Sequence, residues 1–196
     1  MMDTAIMILA AGNSSRLGRP KQLLVYKDQP LLQIVLDAAL QTAFRPVTIV
    51  LGAYKNEIAR QINGTVNYVI NDHWQEGMGS SIAAGLAATL KLSPGIQQVI
   101  IAVSDQAFIS QEIFEQLYQQ QQLSAKGIVA SKYEETAGTP VLFSKKYFAD
   151  LLALKGDSGA KSILKTYPKD IETISFEKGE MDIDTEEDYK KLIERS

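Results

Sequence analysis

The residues best equipped for chemistry in this 196-residue chain lie between Leu9 and Leu24, LAAGNSSRLGRPKQLL. The stretch Gly12 to Lys21 holds two glycines, two serines, arginine and lysine, with no acid among them. Such a loop suits an anion. Glycines let backbone N–H groups surround phosphate oxygens, and Arg16 and Lys21 supply countercharge. An apolar run from Thr4 to Leu9 precedes the loop and reads as a buried strand. Strand, glycine-bearing turn, then basic residues is the order expected of a nucleoside triphosphate site. Two other phosphate loops are excluded by spacing. A Walker loop ends in Gly-Lys-Ser/Thr, whereas five residues separate Gly12 from Gly18 here and Gln22 follows Lys21. The dinucleotide pattern G-x-G-x-x-G fails at Gly12-Asn13-Ser14, and Pro20 opposes a helix running through the loop.

Polar residues directly after apolar runs are the next candidates, because open α/β sheets bind ligands at the carboxyl ends of their strands. Asp105, in Ser104-Asp105-Gln106, follows VIIAV, a costly place for a charge without a partner. A divalent cation is a natural partner where triphosphates bind, since magnesium takes one or two carboxylates plus phosphate oxygens. Capping the next helix is the alternative for Asp105, although Ser110 is available for that task. Asp182-Ile183-Asp184 precedes the last helix, where Asp184 would also suit the helix dipole. Asn71 to Ser81, NDHWQEGMGSS, reads differently. Gly77, Met78 and Gly79 allow close backbone approach, and Ser80 or Ser81 can donate to a base or sugar. Asp72 and Glu76 argue against phosphate there. His73 and Trp74 could stack on a ligand, but packing at the loop edge is the commoner role.

These positions need a scaffold. Apolar β-type runs occur at Ala5 to Leu9, Val47 to Leu51, Val66 to Ile70, Val99 to Val103, Gly127 to Ser131 and Pro140 to Phe143. Helical stripes lie between most of them: Leu31, Ile34, Val35, Ala38 and Ala39; Ile82, Leu86 and Leu90; Ile113, Phe114 and Leu117. Leu192 and Ile193 close a terminal helix after a Thr185 cap. The alternation predicts an α/β fold, a mostly parallel mixed sheet with helices on both faces, in one domain spanning 1–196. Glu134 to Val141 predicts a hairpin or crossing strand over the edge of the sheet. The glutamines from Gln119 to Gln122 read as a solvated polar face.

Composition narrows the function. The chain has no cysteine, which excludes disulfides and thiolate metal sites and fits a cytoplasmic protein. One histidine removes most zinc chemistry and the serine–histidine relay. A net charge of −3 opposes a nucleic-acid surface held by phosphate attraction. No apolar stretch approaches the roughly 20 residues of a membrane span, and no leader pattern opens the chain, so neither nucleic acid nor membrane is an expected partner.

Leu9 to Lys21 resembles the signature L-A-A-G-x-S-x-R-x-G-x-x-K of nucleotidyltransferases with the three-layer glycosyltransferase-A-like, or nucleotide-diphospho-sugar transferase, fold. RLGRPKQLL, N-x-x-W-x-x-G-M-x-x-S at Asn71 to Ser81, SDQ at Ser104 to Gln106, GTPVLF at Gly138 to Phe143, GDSGAK at Gly156 to Lys161 and DIDTEEDY at Asp182 to Tyr189 resemble the molybdenum cofactor cytidylyltransferase family. The guanylyl branch usually opens L-A-G-G, so Ala11 leans towards cytidine. Ala107 and Glu186 stand where that family commonly has proline, which touches loop geometry but removes no charge.

The resemblance implies transfer of CMP from CTP to the terminal phosphate of molybdopterin, with release of pyrophosphate and a molybdoenzyme as recipient of the product. It implies that Asp105 and Asp184 hold magnesium and that Arg16 and Lys21 hold the triphosphate, with Arg16, Lys21 and Asp105 the catalytic set. Leu9, Ala10, Ala11, Gly12, Ser14, Ser15, Asn71, Gly77, Met78 and Ser81 would complete the nucleotide site. Gln106, Asp157 and Lys161 would meet the acceptor. The same chemistry with GTP, a sugar phosphate or methylerythritol phosphate remains open at this level, as does a non-catalytic module that hands cofactor to a molybdoenzyme.

Overall fold

The computed structural model describes residues 3–181 and 183–194. Its strands are β1 (Thr4–Ala10), β2 (Val25–Tyr26), β3 (Gln29–Pro30), β4 (Val47–Leu51), β5 (Asn67–Ile70), β6 (Gln98–Val103), β7 (Ile128–Tyr133), β8 (Thr136–Ser144) and β9 (Ile171–Ser175). Its helices are α1 (Leu31–Gln41), α2 (Lys55–Gln61), α3 (Met78–Leu92), α4 (Gln111–Ser124), α5 (Phe148–Leu152), α6 (Ala160–Thr166) and α7 (Glu186–Glu194). Seven strands form one sheet in the order β5-β4-β1-β6-β8-β7-β9, and β2 pairs with β3 in a separate hairpin. β8 runs against β6 and β7, while the other neighbouring pairs are parallel.

β1 explains the layering. Ile6, Ile8 and Ala10 point into one core with Leu32, Val35 and Leu36 of α1 and Phe114 and Leu117 of α4. Ala5, Met7 and Leu9 point into the other, with Ile82 and Leu86 of α3, Phe148 and Leu151 of α5, and Ile163 of α6. A strand buried on both faces needs no polar alternation, so it reads as a continuous apolar run. α3 lies close on the sheet because Gly85 faces Met7 and Val50; a Cβ there would come within 2.6 Å of Val50 Cγ2. A third, smaller core joins Leu17, Leu24, Tyr26 and Leu31 to Ile183 and Leu192, docking the terminal helix on the opening loop. Among the described residues, no helix is long and apolar enough to cross a membrane.

The structure departs from the sequence reading in two places. The Glu134 to Val141 region is indeed a hairpin, but β8 is an interior strand between β6 and β7 rather than a flap over the edge. The edge beyond it is β9, whose five residues are half-buried or exposed and carry no strong apolar signal. Chain order reverses at β1, which has β4 on one side and β6 on the other. The crevice at that reversal, beyond the carboxyl ends of β1 and β6, is where such a sheet receives a ligand.

Candidate active site

A cleft of about 730 Å³ opens at that crevice. One wall is Leu9, Ala10, Ala11, Gly12 and Asn13, leaving the end of β1, with Arg16, Lys21 and Gln22 beyond. Ser104 and Asp105 leave β6, and Asp184 enters from the segment before α7.

Ser14 shapes the loop. It holds a positive φ of 49°, and its carbonyl accepts from the amides of Leu17 and Gly18, each at 3.0 Å. Its Oγ accepts from the Lys21 backbone amide at 3.1 Å. The chain then turns at Pro20 into a short 3-10 turn, Lys21–Leu23, which sends the Lys21 side chain back into the cleft. There Nζ donates to Asp105 Oδ2 at 2.6 Å and to Asp184 Oδ1 at 3.1 Å. Arg16 donates to the other Asp184 oxygen at 2.5 Å. Two carboxylates far apart in sequence therefore share one ammonium.

Asp105 is only 5% exposed, so its charge depends on this pairing. Burial works against the Lys21 charge, but the charge and hydrogen bond of Asp105, reinforced by Asp184, outweigh it and raise the lysine above 10.5. Lys21 is thus an ammonium throughout the neutral range. Ser110, not Asp105, stands at the N-cap position of α4. Thr185 and Asp188 form a reciprocal cap on α7: the Asp188 carboxylate accepts from the Thr185 amide at 3.0 Å, and Thr185 Oγ1 accepts from the Asp188 amide at 3.2 Å. That cap fixes the residue directly after Asp184. Asp182, from the same stretch, lies outside the described residues.

The second wall is the start of α3, with Gly77, Met78 and Ser81 lining the cleft beside Trp74 and Gln75. Gly77 has φ +102°, and a Cβ on it would lie 2.6 Å from Asp157 Oδ1. The amide of Gly79 donates to the carbonyl of Gly156 at 2.9 Å. The Gly77 to Ser81 and Gly156 to Lys161 motifs consequently form a single ledge, and Asp157 and Lys161 line the cleft with it.

Some expected contacts sit elsewhere. Ser15 is exposed and does not line the cleft. Asn71 is 4% exposed and acts as a bracket: Nδ2 donates to Ser80 and Ser81 Oγ at 2.9 and 3.0 Å, and Oδ1 accepts from the His73 amide. Gln106 is 6% exposed and donates to the Thr139 carbonyl at 2.7 Å, so it braces the cleft wall without lining it. His73 pairs with Glu76 at the surface. The sequence reading missed Tyr133, Gly138, Thr139, Gly159 and Gln22, which all line the cleft. Tyr133 pairs with Thr136 across the β7–β8 hairpin and reaches diagonally to Gly138, where its Oη occupies the space a Cβ of residue 138 would fill. Only the insertion of β8 into the sheet brings that hairpin to the site.

The family model of the MobA-like NTP transferase domain matches residues 6–171. Nicotine blue oxidoreductase of Paenarthrobacter nicotinovorans is 28% identical, over 95% of this chain and 95% of that protein. The crystal structure of Rv0371c from Mycobacterium tuberculosis H37Rv is similar at a TM-score of 0.86 and 26% identity, covering 98% of each chain. A structure of Rv0371c in complex with manganese gives 0.82 at 25% identity, covering 98% of this chain and 99% of that one. A nucleotidyl transferase from Methanothermobacter thermautotroptrophicus shares the fold, with a TM-score of 0.80 at 18% identity over 98% and 96% of the two chains. The chain belongs to the MobA-like NTP transferase domain family and has the nucleotide-diphospho-sugar transferase fold.

Proposed function

We propose that this protein is a magnesium-dependent nucleotidyltransferase that moves CMP from CTP to the terminal phosphate of molybdopterin and releases pyrophosphate. The observation that carries the reading is the meeting of Asp105, Asp184, Lys21 and Arg16 at the glycine-bearing turn of one cleft. The motif resemblance favours CTP and molybdopterin.

The donor set fits magnesium. Asp105 and Asp184 offer hard oxygens that already converge on one cation, the Lys21 ammonium. Among the described residues no group of three His, Cys, Asp or Glu could hold a metal alone, so phosphate and water oxygens would complete the shell. When bound, magnesium would supply Lewis-acid polarisation of the phosphate oxygens. The rest falls to the chain's own residues. A phosphate oxygen of the acceptor forms a bond to the α-phosphorus, and the bond from that phosphorus to the β-phosphate oxygen breaks. Pyrophosphate departs with the electron pair. The attacking oxygen is already anionic at neutral pH, so no general base is needed. Lys21 and Arg16 neutralise charge developing on the leaving group. Asp157 and Lys161, which line the cleft, are the candidates to meet the acceptor. The product would pass to a molybdoenzyme in the cytoplasm.

A second reading comes from the 28% identity to nicotine blue oxidoreductase: redox chemistry in the same cleft. One assay separates the two. Pyrophosphate release is measured with CTP or GTP, with and without magnesium, against molybdopterin, a sugar phosphate and methylerythritol phosphate. Turnover with CTP, molybdopterin and magnesium is expected. Turnover only with another acceptor, nucleotide binding without turnover, or redox turnover of nicotine blue with no phosphate acceptor present would each overturn the proposal.

A further inference from the structure

Gln22, next to Lys21, is 1% exposed and sends its side chain back to the loop that it follows. Its Nε2 donates to the carbonyls of Ala10 at 3.1 Å and Gly12 at 3.0 Å, so both amide hydrogens straddle Ala11. The carbonyl between them, on Ala11, accepts from the Ala53 amide at 3.1 Å. The next one, on Asn13, accepts from Tyr54 Oη at 3.0 Å. Ser14 follows, accepting from Leu17 and Gly18. Every carbonyl from Ala10 to Ser14 is therefore occupied by a donor of the protein.

The amides across those same peptide planes are in the opposite condition. In a trans peptide the N–H points away from the C=O of its own plane. Anchoring the carbonyls of Ala11, Gly12 and Asn13 thus fixes the directions of the Gly12, Asn13 and Ser14 amides. These three donate to no acceptor among the described residues. Gly12 has nothing within 4 Å of the place where a Cβ would stand, so the loop surface at that point is open. A run of oriented amides with all neighbouring acceptors occupied attracts anions and offers nothing to cations or donors.

We infer that Gln22 is the positioning residue that makes this loop a donor-only cradle for the polyphosphate of the nucleotide, an inference that rests on the triphosphate reading above. Gln22 holds two of the five carbonyls, and no other side chain holds more than one. Its orientation is dictated, because turning the amide over would set Oε1 against two carbonyl oxygens. Among the described residues, Oε1 is buried and has no hydrogen-bond partner. Glutamine meets a demand that neither glutamate nor a hydrocarbon can meet: two hydrogens on one nitrogen, without charge.

The test uses the full chain labelled with ¹⁵N, with inorganic tripolyphosphate as probe and CTP beside it. In the wild type, tripolyphosphate should shift the Gly12, Asn13 and Ser14 amide resonances, and the Gln22 side-chain amide should exchange slowly with solvent. Gln22→Met and Gln22→Glu should melt cooperatively and bind tripolyphosphate about tenfold or more weakly, with Glu the worse of the two. In turnover, Gln22→Met should raise KM for CTP far more than it lowers kcat. A wild type that binds neither tripolyphosphate nor CTP refutes the triphosphate reading itself. A wild type that binds, with folded variants binding equally tightly, overturns the role of Gln22 alone. Should both variants fail to fold, the wild-type spectra decide: unmoved loop amides with probe bound overturn the inference, and shifted amides with a protected Gln22 side chain support it.

Discussion

The ammonium of Lys21 lies 2.6 Å from a carboxylate oxygen of Asp105, and it lies closer to Asp105 than to Asp184. The pair is largely withdrawn from water, which makes it strong but also makes each partner hard to remove. Asp105→Asn keeps the shape and one acceptor for the lysine while deleting the charge. Pyrophosphate release should fall by about 100-fold or more, with an unchanged far-ultraviolet spectrum. A variant that turns over at the wild-type rate would remove Asp105 from the catalytic set.

Lys21 also stands between the two carboxylates where a cation would bind. A divalent ion bound there would compete with the ammonium for the charge of both carboxylates. Lys21→Met should therefore bind manganese about tenfold more tightly than wild type in the absence of nucleotide, while binding CTP more weakly. Titration of manganese followed by electron paramagnetic resonance reads the first effect, and calorimetry reads the second. Equal manganese affinity in the two proteins would show that the lysine does not compete.

Gly77 joins two motifs. Its positive φ and its closeness to Gly156 and Asp157 leave no room for a side chain. Gly77→Ala should lower stability by about 1–3 kcal/mol and raise KM for the acceptor more than KM for the nucleotide, because it pushes the Gly156 to Lys161 segment outward. Thermal melting and steady-state kinetics with each substrate varied in turn would reveal this. An equal rise in both KM values would speak against a shared ledge.

Away from the cleft, Asp170 accepts from Lys146 Nζ at 2.8 Å, from Tyr147 Oη and from the Gly127 amide at 3.2 Å. The Lys146 hydrogen bond, followed by that of Tyr147, lowers its pKa from 3.8 to about 2. A carboxylate with a depressed folded pKa stabilises the protein fully above its unfolded value and loses that contribution as pH falls through the folded value. Asp170→Asn should thus lower Tm by about 2–4 °C near pH 6, and the difference should shrink as pH falls from 4 towards 2. A gap that stays constant over that range would exclude the titration of Asp170 as its cause.

Much of the sheet was legible because its strands are buried on both faces. Val47–Leu51, interrupted only by Thr48, and Val99–Val103 carry their burial as apolar runs. β9 was invisible for the opposite reason, since a half-buried edge strand written Ile-Glu-Thr-Ile-Ser gives no clear period. The interior place of β8 depends on register with Val99–Ile101 and Ile128–Ala130, pairings that no local stretch encodes. In the site, Arg16 and Lys21 were legible from an acid-free glycine-bearing loop, and Asp105 from the cost of leaving a charge unpaired after an apolar strand. Asn71 and Gln106 satisfied the same rule, yet they are buried and serve as brackets. A polar residue after a strand announces a constraint without saying whether protein or ligand meets it.

The small core of Leu17, Leu24, Ile183 and Leu192 has a consequence for how the cleft behaves in brine. The bonds visible across the same junction, Arg16 with Asp184 and Arg19 with Glu186, are half or more exposed on the arginine side and fade as ions crowd around them. Oil-like contact does not fade under those conditions, and excluded salts such as sulfate tighten it. The terminal helix therefore stays moored to the rim when its charges are screened, so concentrated salt would weaken the grip on an incoming nucleotide while leaving the architecture that receives it standing.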